Sequence, residues 1–119
     1  MTDESIIIGV PIAPGGDESK IEWRDLHATP VGLHFAVHPA VSPLRSWTVT
    51  HRATGRSVAF AASKLIAMEA AAAFGRTRVN WERASPLAVK GWAPELLATM
   101  RRIWEAADGG DIAALRSIP

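Results

Sequence analysis

The chain has 119 residues, 48% of them apolar, enough for one domain with a real core and too few for two independent cores. It contains no cysteine, so disulfide staples, thiol nucleophiles and zinc–cysteine centres are excluded. The formal net charge of +1 conceals a segregation: residues 1–25 hold six acids and two bases, a balance of −4, whereas residues 45–102 hold ten bases and three acids, a balance of +7.

Ser5 to Ile12 is apolar and β-branched and predicts a buried strand ending at Pro11. Residues 13–20 (APGGDESK) have loop composition; they and residues 1–4 are expected to be flexible. Ile21 to Leu26 alternates weakly and predicts a strand that Ala28-Thr29-Pro30 breaks. Gly32 to His38 alternates cleanly, with Leu33, Phe35 and Val37 on one face and His34, Ala36 and His38 on the other. Pro39 to Pro43 is too long a connection for a tight hairpin.

Residues 46–75 read as a β-hairpin running into a helix of small residues. Trp47, Val49 and His51 alternate with Thr48, Thr50 and Arg52, Thr54-Gly55 supplies the turn, and Ser57 to Ala61 returns. Ser63 is placed to cap a helix to Phe74 that is apolar nearly all round, which predicts burial, and Gly75 is placed to end it. Thr77 to Ala84 allows a short strand, and Ser85-Pro86 a helix start cut short by Gly91. Pro94 begins the most amphipathic segment, with Leu96, Met100, Ile103 and Ala107 in one stripe and Leu97 and Trp104 beside it. Gly109-Gly110 stops it, and Asp111 caps a last short helix with Ile112, Leu115 and Ile118 inward. Strands first and helices after predict one α+β domain over residues 1–119. Its antiparallel sheet of four to five strands is packed on one face by two main helices, with a short C-terminal helix.

No apolar run approaches the roughly 20 residues that span a bilayer. The opening Met-Thr-Asp-Glu is acidic where a signal peptide is basic, so a cytoplasmic location is expected. Heavy use of Arg and Ala suits a GC-rich bacterium or its phages and plasmids. The patterns of serine hydrolases, zinc proteases and nucleotide-binding loops are missing, and no enzymatic activity is expected. His34 and His38, read on a strand, stand about 13 Å apart, and His27 and His51 add no evident third ligand, so no metal or other cofactor is expected.

The strongest functional signal is a basic, aromatic set. Arg45, Arg52, Arg56, Lys64, Arg76 and Arg78 lie in or beside the hairpin–helix unit and are the candidate nucleic-acid contacts. If Trp47 and His51 point outward they offer a stacking surface. If they point inward, as Val49 on the same face favours, Thr48, Thr50 and Arg52 form the solvent face. Three strands followed by a helix, with a Trp47-x-Val49 strand, resemble in topology the three-stranded-sheet DNA-binding modules of plant transcription factors and phage-integrase arm domains. The Ser63-Lys64 helix start with Ala67, Ala71 and Ala72 resembles the last helix of double-stranded-RNA-binding domains, although Leu65 and Met68 stand where that family carries lysines. Both resemblances imply binding to nucleic acid or a nucleoprotein. The alternative is a regulator or inhibitor of a host protein, of the anti-defence type encoded by mobile elements. It would bind or self-pair through Trp81, Trp92, Trp104 and Arg101.

Overall fold

The computed structural model describes residues 5–12, 18–40, 46–77, 79–82 and 93–119. Five strands form one antiparallel sheet in the order β1 (Ile6–Ile12), β2 (Glu22–Val31), β3 (Phe35–Pro39), β4 (Trp47–His51) and β5 (Ser57–Ala61). Three helices follow: α1 (Lys64–Arg76), α2 (Pro94–Asp108) and α3 (Ile112–Arg116). The architecture is the expected α+β arrangement, with two main helices and a short third one. Among the described residues no helix is long and apolar enough to cross a membrane.

The hydrogen bonds fix which way each strand faces. Arg52 N–H donates to His34 O and Ala40 N–H to Ser46 O, so even-numbered residues of β3 bond β4 and odd-numbered ones bond β2. Thr29 and Val31, opposite Val37 and Phe35, therefore point to β3, while Ala28, Leu26 and Arg24 point to β1. Pro30 directs its hydrogen-free nitrogen away from β3. That is why β2 runs through the Ala28-Thr29-Pro30 stretch that was expected to break it. Ile7, Gly9 and Pro11 fall on the outer edge of β1, where a proline costs no ladder bond and the strand continues past it.

Two clusters lie on opposite faces. Phe35, Val37, Val49, Ala59 and Ala61 meet the alanine face of α1, together with Phe74, Met100, Ile103 and Leu115. Ser63 caps α1 by accepting from Ile66 N–H, and its alanines let it lie close on the sheet. The helix passes through Gly75 and ends at Arg76, where Thr77 closes it with bonds to Phe74 O, so Gly75 does not act as the terminator. Asp111 caps α3 through Ala114 N–H, and Leu115 and Ile118 are buried as expected.

The second cluster joins Ile8, Val10 and Ala28 of the β1–β2 ribbon to Ala36 of β3. The ribbon thus lies over the face of the central strands that points away from the helices. This corrects the expected solvent face of Thr48, Thr50 and Arg52: Arg52 is exposed, but Thr48 and Thr50 are 5% and 1% exposed, and His38 opposite Thr48 is 3% exposed. His38 Nε2 meets the Thr50 hydroxyl at 2.8 Å and its Nδ1 meets Pro39 O, so the buried polar groups are satisfied. Leu33 also departs from expectation. It sits in the β2–β3 turn rather than on a strand and is 81% exposed. Of the expected loop at 13–20, Glu18–Lys20 is one turn of 3-10 helix, and the rest lies outside the described residues, as do residues 1–4 and the expected Ser85-Pro86 helix start.

Candidate nucleic-acid interface

The β4–β5 turn is built around Thr54 and Gly55. Gly55 takes φ +71°, a left-handed value that a side chain disfavours. Its N–H donates to His51 O, and His51 N–H donates to Arg56 O, so the turn is closed by backbone bonds. The Thr54 hydroxyl also accepts from Arg56 N–H. This hydrogen-bonded tip carries Arg52 on one side of Thr54-Gly55 and Arg56 on the other.

Gly55 packs directly on the outer edge of β1. A Cβ added to it would fall 2.2 Å from Gly9 O and 3.1 Å from Cζ3 of Trp23. Trp23 stands on β2 opposite Pro11, and its indole crosses Gly9, whose own Cβ would lie 3.8 Å from Cε3. Neither glycine has a side chain where the Cε3–Cζ3 edge of the indole lies, and the residue stays 64% exposed. Arg52 lines a groove of about 440 Å³ with Leu33, Ala53 and the β1 residues Ile6, Ile7 and Gly9. Its Nη1 donates to Gly32 O at 3.3 Å. Among the described residues neither Arg52 nor Arg56 is within ion-pair distance of a carboxylate. Asp25, opposite Gly9, places one negative charge on the same ribbon.

The other expected contacts do not gather at this tip. Lys64 lies at the far end of the hairpin, its Nζ 5.9 Å from the centre of the half-buried Trp47 ring, about 13 Å of strand away from His51. Arg76 donates to Leu115 O at 2.8 Å and to Ile118 O at 2.9 Å, and so caps the C-terminal end of the chain. Arg45 and Arg78 lie outside the described residues. His51 is fully buried, bonded to Trp81 O at 2.7 Å and to the Thr54 hydroxyl at 3.0 Å, and cannot stack on a ligand.

The tryptophans expected to meet a protein partner are also placed otherwise. Trp81 is 2% exposed, edge-on to Phe35 at 4.9 Å, and its indole N–H donates to Phe74 O. Burial of both Trp81 ends removes it from any surface. Trp104 is half-buried, and its N–H donates to Val58 O at 2.7 Å, covering part of the β5 edge. Arg101 is exposed on α2, and Trp92 lies outside the described residues. Among the described residues no three His, Asp or Glu side chains converge as a metal site.

The aromatic at the tip, Trp23, was not among the expected contacts. Its strand alternates only weakly in sequence, and only the Gly9–Gly55 approach brings it to the arginine-bearing turn. No family model, no curated protein and no solved structure matches this chain.

Proposed function

We propose that this chain is a non-enzymatic nucleic-acid-binding protein that makes contact through the tip of the β4–β5 hairpin. The observation that carries the reading is the pair of arginines, Arg52 and Arg56, free of ion pairs among the described residues and set beside an exposed indole. Guanidinium groups bind phosphate oxygens without regard to sequence, and their contribution is read in the salt dependence of binding. The test is a salt titration with duplex DNA, single-stranded DNA and duplex RNA. Replacing Arg52 and Arg56 together with alanine reduces the log–log slope by up to about 1.4–1.8, two phosphates' worth, and weakens binding evenly across sequences. Lys64→Ala leaves the slope of this contact unchanged. If none of the three ligands binds tighter than about 100 μM at physiological salt, or the double variant binds like the parent, the reading fails.

A second reading, a protein partner such as a host component inhibited by a mobile-element product, has one observation in its favour. Ile7 and Leu33, 65% and 81% exposed, adjoin the Arg52 groove and give the tip an apolar margin. Affinity capture from a bacterial lysate discriminates the two. A single partner that survives nuclease and high salt, and is lost with Leu33→Asp, favours this reading.

A further inference from the structure

Trp23 has a placement that the arginines alone do not explain. A tryptophan on a two-stranded ribbon normally buries its ring against the core. Here the core face of the ribbon is filled by Ile8, Val10 and Ala28, and the indole lies on the outward side, across Gly9 and against Gly55. Gly9 and Gly55 carry no side chain where the Cε3–Cζ3 edge of the indole lies, and 64% of the residue remains in water.

We infer that Trp23 is a base-stacking platform, and that the nucleic acid taken by this tip is single-stranded. The inference rests on the nucleic-acid reading above and gives it a partner class. A duplex keeps its bases stacked on one another and offers an indole only its backbone. A single strand can place a base on the exposed indole while its phosphates meet Arg52 and Arg56 on the adjoining turn. Stacking tolerates any base, so little sequence preference is expected. Asp25 stands on the ribbon on the same side as Trp23, so the phosphates run along the turn rather than along β2.

The experiment measures binding of fluorescein-labelled dT15 and of a 15-base-pair duplex by anisotropy, for the parent, Trp23→Ala, Trp23→Phe and the Arg52/Arg56 double alanine variant. Trp23→Ala weakens dT15 binding about 5- to 150-fold, the range of one lost base–aromatic stack, with the salt slope unchanged. Trp23→Phe keeps most of the affinity, and neither variant changes duplex binding. Equal losses for dT15 and duplex, or no loss for either, overturn the stacking platform. The arginine reading then still stands if the double alanine variant lowers the slope. If Trp23→Ala lowers the melting temperature and leaves dT15 binding untouched, the ring is only a cover for Gly9 and the inference is wrong. If neither oligonucleotide binds the parent, both the inference and the reading beneath it fall.

Discussion

His51 is shut off from solvent, and both of its ring nitrogens are in use. A carbonyl can only accept, so Nε2 carries the proton given to Trp81 O. In the neutral ring Nδ1 then accepts from the Thr54 hydroxyl, which in turn accepts from Arg56 N–H. One side chain thereby ties the arginine-bearing turn to the segment at 79–82. His51→Ala leaves a cavity between Phe35 and Trp81 and an unpaired Trp81 carbonyl, and the expected cost is about 2–4 kcal/mol by urea unfolding. His34→Ala, in the half-buried β2–β3 turn, stays within about 0.5 kcal/mol. Gly32 and Gly55 differ in what surrounds the missing Cβ. Gly32 has φ +65° and nothing within 4 Å of its missing Cβ, so Gly32→Ala costs only the backbone strain, about 1–2 kcal/mol. Gly55→Ala meets the same strain and a clash with Gly9 O as well. It costs at least about 2 kcal/mol more by the same measurement, since backbone cannot swing aside as a side chain can.

At the scale of elements, α3 is five residues long and cannot hold itself together as an isolated helix. Three contacts hold it: the Asp111 cap, the burial of Leu115 and the two bonds from Arg76 to Leu115 O and Ile118 O. The surface pair of Arg116 with Glu69, 2.8 Å apart, raises the guanidinium pKa through its hydrogen bond and adds little stability in water. Arg76→Ala is expected to cost about 1–3 kcal/mol and to speed amide exchange selectively in α3, while the β-sheet amides keep their protection. A uniform rise in exchange across the sheet would show that Arg76 has a different role. Ser63→Ala removes the α1 cap at a cost of about 1 kcal/mol, measured by thermal unfolding.

At the scale of the molecule, the two clusters share a strand. Phe35 and Val37 of β3 enter the helix-side core, and Ala36 between them enters the ribbon-side one. Neither cluster can lose β3 without exposing the other, so unfolding is expected to be one transition. Tryptophan fluorescence and far-UV circular dichroism should give the same midpoint in urea. An early fluorescence change confined to the ribbon would show that β1–β2 detaches by itself.

The period-two alternation from Trp47 to Ala61, the caps Ser63 and Asp111, and the stripe of Met100, Ile103 and Ala107 are local signals, and they carry the element order and the α+β class directly. The turn at Thr54-Gly55, with Arg52 and Arg56 beside it, is legible for the same reason. What lies across the sheet is not written in any one strand. Thr48 and Thr50 look like a solvent face until the β1–β2 ribbon covers them, because period two says that two faces differ and not which of them is covered. Pro30 reads as a breaker because its neighbours do not reveal which way its nitrogen will point. The site depends on a contact between Gly9 and Gly55, 46 residues apart in the chain. Tertiary structure alone brings Trp23 to the arginines and takes Lys64 and Arg76 away from them, because charge in a sequence is counted along the chain, while an interface is assembled in space.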